Sequence, residues 1–143
     1  MKNNYFREIF HNDIHIATIV KPNEANPGLS FVTSDDKFLQ LGIWNYQKGH
    51  NLPAHYHNQF KRSGYRTNEF VFVLKGAIEC ILYTEEGDFI ESVIISESQG
   101  ILMFELSHEY KIIEDSIILE SKNGPFMGVE KDKTVINVKK AKN

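Results

Sequence analysis

Gly49-His50-Asn51-Leu52-Pro53-Ala54-His55-Tyr56-His57, then eleven residues, then Glu69-Phe70-Val71-Phe72-Val73-Leu74-Lys75-Gly76, is the stretch on which the reading of this chain turns. His55 and His57 are two apart, a spacing that on a β-strand puts both imidazoles on one face. Pro53, just before them, suits a strand start or an edge, where a missing N–H costs little. Glu69 heads an apolar run that stops at Lys75-Gly76, a turn signal. Alternation puts Glu69 on the side of Val71 and Val73, with Phe70, Phe72 and Leu74 opposite. Both sets are apolar, as expected for a strand covered on both faces. A strand carrying His-x-His beside a strand headed by Glu offers three ligands, and imidazole with carboxylate suits divalent transition metals. His108 lies far downstream between two short apolar segments. Antiparallel folds return such segments beside earlier strands, so it is a feasible fourth ligand.

Outward from this stretch the chain reads as β almost throughout. Ile14 to Val20 is rich in β-branched residues and ends at Lys21-Pro22. Pro22 to Gly28 is a loop by composition. Leu29 to Thr33, Phe38 to Tyr46, Phe70 to Leu74, Ala77 to Tyr83, Phe89 to Ile95, Ile101 to Phe104, Tyr110 to Ile113 and Ile117 to Glu120 are the further strand candidates. Turn residues separate them at about 8–12-residue spacing, the pattern of a sandwich or barrel. Tyr5 to Phe10 is the one helix candidate.

The 143 residues are enough for one domain with a real core. Sixteen basic and nineteen acidic residues leave a formal charge of −3, which gives no reason to expect nucleic acid as a partner. Cys80 is the single cysteine, so an internal disulfide is excluded. The first ten residues hold no apolar core of signal-peptide length, and no apolar run approaches the roughly 18–20 residues that span a bilayer. The expectation is a cytoplasmic protein with no membrane partner. Its tail, Val138 to Asn143, is short and basic and expected to fray.

The motif residues resemble the cupin superfamily. Its first motif runs Gly, five residues, His-x-His, three or four residues, Glu, six residues, Gly. Here Gly49 is followed by five residues and His55-Tyr56-His57, and Glu69 by six residues and Gly76. Eleven residues, Asn58 to Asn68, stand where the family has three or four, and read as an inserted loop. Of the second motif, a Pro-x-Gly-x-x-His core with a later Asn, only His108 is present; Met103, Glu105 and Ile112 occupy the other positions. The resemblance implies an all-β single cupin domain over 1–143, a jelly-roll (double-stranded β-helix) barrel. Its motif region is about 40–120, with an N-terminal strand segment at 1–37 and a tail at 134–143. It implies one divalent transition metal (Fe, Mn, Ni or Zn) held by His55, His57, Glu69 and His108. Small cupins are commonly homodimers, and Ile14 to Val20, outside the motif region, offers a strand to pair with a neighbour's sheet edge. The segment Glu120 to Lys133 resembles the close of small cupins associated with bacterial surface-polysaccharide gene clusters. That resemblance implies a sugar or nucleotide-sugar isomerase or epimerase.

Within the inserted loop, Lys61, Arg62, Tyr65 and Arg66 are the candidate substrate contacts, because Arg makes bidentate contacts to carboxylate or phosphate. A solvated basic loop is the plainer explanation of the same residues. His11, His15 and His50 read as structural or solvent-exposed, and Phe31, Trp44 and Phe104 as core. Cys80, inside an apolar strand, reads as inert packing rather than a nucleophile. No nucleotide loop, Ser/His/Asp order or CxxC is present, and no residue declares itself a general acid or base. Two functions fit: a metal-dependent enzyme on a small anionic or sugar-derived substrate, including an Fe(II) dioxygenase, or a non-catalytic cupin that senses or carries a small molecule.

Overall fold

The chain opens with a hairpin where a helix is expected. In the computed structural model, which describes residues 4–139, Phe6–His11 (β1) and Ile14–Val20 (β2) pair antiparallel. Asn12 and Asp13 make the turn, both at positive φ (47° and 63°). A two-residue turn of that kind has the twist its flanking strands need, and Asn and Asp tolerate it best after Gly. The helix expected over Tyr5 to Phe10 is therefore corrected to a strand. Six residues are too few to sustain a helix without help, whereas β2 supplies a complete ladder.

The other strands are Gly28–Phe31 (β3), Gly42–Asn45 (β4), Glu69–Lys75 (β5), Ala77–Tyr83 (β6), Phe89–Ser96 (β7), Gly100–Met103 (β8), Ser107–Ile112 (β9) and Ile117–Lys122 (β10). Among the described residues they form three antiparallel sheets, ordered β1-β2-β8-β5-β10, β7-β6-β9 and β3-β4. The only α-helix among them is the single turn Val129–Asp132 (α1). The all-β expectation holds, and most strands fall where the turn residues put them. The strand expected from Phe38 to Tyr46 is cut to Gly42–Asn45. Gln40 is the reason: its amide donates to the carbonyls of Ser34 (3.0 Å) and Lys37 (2.6 Å) and accepts from the Thr33 hydroxyl (3.0 Å). Those bonds hold residues 33–41 in a turn instead of a ladder.

The main core draws Ala17, Val71, Val73, Ile101 and Met103 from the five-stranded sheet and Ile78, Cys80, Leu82, Val93 and Ile95 from the three-stranded one. Alternation along β5 places Val71 and Val73 in it as the sequence implies. A second cluster, built on Tyr5, Val20, Ala25, Val32, Leu102 and Phe104, also packs against Phe70. Phe104 is thus core, as expected, but Phe31 and Trp44 are 59% and 63% exposed. They lie on β3 and β4, a two-stranded ribbon of its own, so their expected burial is corrected. Cys80 is buried, and burial pushes its thiol up to about 12, which makes it inert packing.

Three further features matter for the site. Ile14–Val20 has β1 on one side and β8 on the other, so the expectation that it pairs with a neighbouring molecule is corrected; β1 and β10 are the outer strands. Gly76 turns between β5 and β6 at φ 86°, and a Cβ there would collide with the Asp115 carbonyl oxygen and the Ser116 Oγ. The tail does not fray at once: the Lys139 amide donates to the Gly87 carbonyl and its ammonium sits 2.8 Å from Asp88. Residues 140–143 lie outside the described residues. No helix among the described residues is long and apolar enough to cross a membrane.

Candidate metal centre

Glu69 opens β5 and points to the side of Val71 and Val73, into the space between the two larger sheets. His108 reaches the same place from β9, in the other sheet. Its Nε2 lies 2.8 Å from Glu69 Oε1, and both side chains are more than two-thirds buried. Two residues on, and so on the same face of β9, Tyr110 donates its hydroxyl to the same Oε1 at 3.2 Å. The intervening Glu109 faces the other way and accepts from Tyr83 at 3.0 Å. Burial pushes the Glu69 carboxyl up. The hydrogen bond and charge of His108, with the Tyr110 bond, more than offset this and hold it below the ordinary glutamate range. Burial drives the Tyr110 phenol far up, with the negative groups around it adding to the effect, so it stays protonated and serves as a donor. Tyr110 is the site residue that sequence reading missed. Its spacing from His108, the same i, i+2 that singled out His55 and His57, was the available signal.

His55 and His57 are elsewhere. No strand or helix lies between β4 and β5, and every residue from 44 to 66 is exposed. The strand expected to carry the His-x-His pair is therefore corrected to a loop. From Gln47 to Arg66 there is no Val, Ile or Thr, so the segment lacks the β-branched side chains that favour a pleated backbone. The two rings stand 5.2 Å apart and nearly perpendicular, and His55 Nδ1 is 2.9 Å from the Pro53 carbonyl. Among the described residues no group of three or more His, Cys, Asp or Glu is gathered closely enough to hold a metal ion. The structure thus brings Glu69 and His108 together and leaves His55 and His57 apart from them. The donor chemistry, three imidazoles and one carboxylate, suits a divalent transition metal; the positions assemble half of it.

The inserted loop is anchored at its far end. The Asn68 amide nitrogen donates to Asn123 Oδ1 (2.7 Å), and its buried side chain donates to the Phe104 carbonyl (3.1 Å). Arg66 lies between two carboxylates, Glu105 at 2.8 Å and Glu85 at 3.1 Å, so its guanidinium is already occupied. Arg62 is not paired in this way among the described residues. It stacks on Phe60, 3.6 Å from the ring centroid, beside a cavity of about 530 Å³ shared with Asp35, Asp36 and Lys37. Lys61 and Tyr65 are exposed. Gly64 rests against the Phe38 ring, which ties the loop to the turn at 33–41. His50 stacks on Tyr46 (4.0 Å) and His15 bonds Thr18 (2.8 Å) between the rings of Phe10 and Phe104. His11 bonds Asn12 at 3.3 Å. All three keep the structural or surface roles that the sequence suggests.

Comparison with protein-family models, with curated proteins and with solved structures returns no match to this chain. The chemistry of the site therefore carries the functional reading.

Proposed function

We propose that this chain is a metal-dependent cupin enzyme acting on a small anionic or sugar-derived substrate. The observation that supports it is the meeting of Glu69 and His108. They come from the two separate motif halves, stand on different sheets, and approach to 2.8 Å. In this reading the two larger sheets close as a jelly-roll barrel around the pair. Residues 50–58 move so that His55 and His57 complete a site for one divalent transition metal, Fe, Mn, Ni or Zn. A metal held by these four residues would supply Lewis acidity toward a carbonyl or a water. Tyr110 orients the Glu69 carboxylate through its hydrogen bond, and the apolar side chains of Val71 and Met103 exclude water behind it.

Substrate contact falls to the inserted loop. Arg62 is the anion contact, with Lys61 adding charge and Tyr65 a ring that stacks on a sugar or base. Arg66, expected in the same role, instead anchors the loop through Glu85 and Glu105. The reaction class in this reading is isomerisation or epimerisation of a sugar or nucleotide-sugar.

The test is elemental analysis of protein purified without added metal, followed by turnover on a panel of nucleotide-sugars and small anionic sugars. One metal per chain with turnover is the expected result. One metal without turnover makes the chain a sensor or carrier. Absence of stoichiometric metal, even after incubation with each of the four ions, overturns the reading.

A further inference from the structure

The inserted loop and the turn at 33–41 face each other across a cavity of about 530 Å³, a volume in the range of small-molecule sites. Asp35, Asp36 and Phe38 line it from the turn, and Phe60, Arg62 and Ser63 from the loop. Both walls are held in place. Gln40 spends its amide on the Ser34 and Lys37 carbonyls and on the Thr33 hydroxyl. On the loop side, Gly64 packs on the Phe38 ring, and Arg66 is tied to Glu85 and Glu105. Walls fixed in this way can hold a ligand without first being ordered by it.

The open charges on the two walls are opposite and do not meet. On the turn, Lys37 sets its ammonium over the Phe104 ring, 4.9 Å from the centroid. The Ser34 hydroxyl donates to Asp36 and holds its carboxyl below the ordinary aspartate range, so Asp36 stays ionised. Asp35 is exposed, and among the described residues its carboxylate makes no hydrogen bond or ion pair. Across the cavity, the Arg62 guanidinium rests on the Phe60 ring. A guanidinium stacked on a ring keeps its N–H edges open, and those edges match a phosphate or carboxylate. No ion pair joins Arg62 to Asp35 or Asp36 among the described residues, although all of them line one cavity. A ligand with negative charge alone would bind Arg62 while facing two carboxylates. A ligand that also carries an ammonium at its far end complements both walls.

We infer that this cavity takes a small zwitterion, with a phosphate or carboxylate at one end and a protonated amine at the other. The anionic end sits on Arg62 and the amine on Asp35. The inference rests on the reading that the inserted loop contacts a sugar-derived substrate, and it narrows that substrate to an amino sugar with an anionic group.

The experiment is calorimetric titration of metal-free protein with two matched pairs. Glucosamine 6-phosphate is compared with glucose 6-phosphate, which has a hydroxyl in place of the amine. Glucosaminuronic acid is compared with glucuronic acid in the same way, and the tighter of the two amino ligands names the anion. The expected result is one amino ligand per chain, bound about 10-fold or more tighter than its hydroxyl counterpart. Asp35→Asn erases that preference, and Arg62→Ala weakens both members of the pair by about 10-fold or more. Lys48→Ala removes an exposed charge outside the cavity and leaves both affinities unchanged. Circular dichroism checks that the variants fold. Equal affinities within each pair overturn the inference. So does failure of all the probes to bind, or a preference that survives in folded Asp35→Asn. These titrations need no metal, so failure here is distinct from absence of stoichiometric metal, which is what overturns the proposed function.

Discussion

Glu69 and His108 differ from His55 and His57 in what holds them. The first pair stands on two strands whose ladders and apolar neighbours fix where each side chain points. Glu69 is flanked by Val71 and Val73, and His108 by Tyr110. The second pair sits on a segment whose backbone makes no ladder and whose residues are exposed. The comparison teaches that ligand spacing in a sequence becomes ligand geometry only where neighbouring residues also specify a strand. Val and Phe around Glu69 do so; Asn, Pro, Ala and Gln around the histidines do not.

The glycines at the two ends of the motif should show the largest difference. Gly76 and Gly49 both have positive φ (86° and 93°), but a Cβ at Gly76 meets the Asp115 carbonyl while one at Gly49 meets nothing within 4 Å. Gly76→Ala is expected to cost about 3 kcal/mol, backbone strain plus the clash. Gly49→Ala should cost roughly 1 kcal/mol, strain alone. Urea unfolding of both variants measures this, and equal losses would mean that the loop end is as firmly packed as the strand end.

Next come the candidate ligands. His108→Ala leaves a mostly buried Glu69 carboxylate with Tyr110 as its remaining close hydrogen-bond donor, and is expected to cost about 2 kcal/mol. His55→Ala, on the exposed loop, should stay within about 0.5 kcal/mol of wild type when metal is absent. A large loss for His55→Ala in metal-free protein would show that the loop is already docked.

Acidity separates the halves as well. The Glu69 carboxyl is held below the ordinary glutamate range in the folded chain, so folding favours its ionised form. The resulting stability is present above the unfolded carboxyl value of about 4.3 and is lost as pH falls through the lower, folded value. Unfolding free energies of wild type and Glu69→Gln should therefore converge as pH falls below the unfolded value of about 4.3. Curves that stay parallel to the lowest pH would remove the His108 and Tyr110 contacts as the cause. The smallest effect is expected at Arg66. Its ion pairs with Glu85 and Glu105 are exposed, so Arg66→Ala should cost no more than about 1 kcal/mol, read as a shift of the thermal midpoint by a few degrees.

The sequence made most of the ladder legible. Ile14–Val20 and Ala77–Tyr83 have in the structure the bounds that their β-branched runs and flanking turns imply, and alternation from Glu69 gives the right core face. The rest depended on partners that spacing does not reveal. Tyr5 to Phe10 carries apolar residues that fit a helix or a strand, and β2 decides it. Gln40 turns residues 33–41 back through hydrogen bonds that no hydrophobic pattern announces. Trp44 and Phe31 read as core because they are large and apolar, yet the ribbon that holds them has one face open. Arg66 reads as a free cation, and its two carboxylates come from turns remote in sequence.

Whether the two motif halves act together is decided by metal titration. Cobalt(II), whose visible absorption reports coordination by nitrogen and oxygen donors, would be added to metal-free wild type, to the His55→Ala/His57→Ala double variant and to Glu69→Gln. One equivalent bound by wild type, and none bound stoichiometrically by either variant, is the expected result. A double variant that still takes up one equivalent with unchanged affinity and spectrum would contradict it. Glu69 and His108 would then be a strand-borne ion pair, and the histidines a feature of the loop alone.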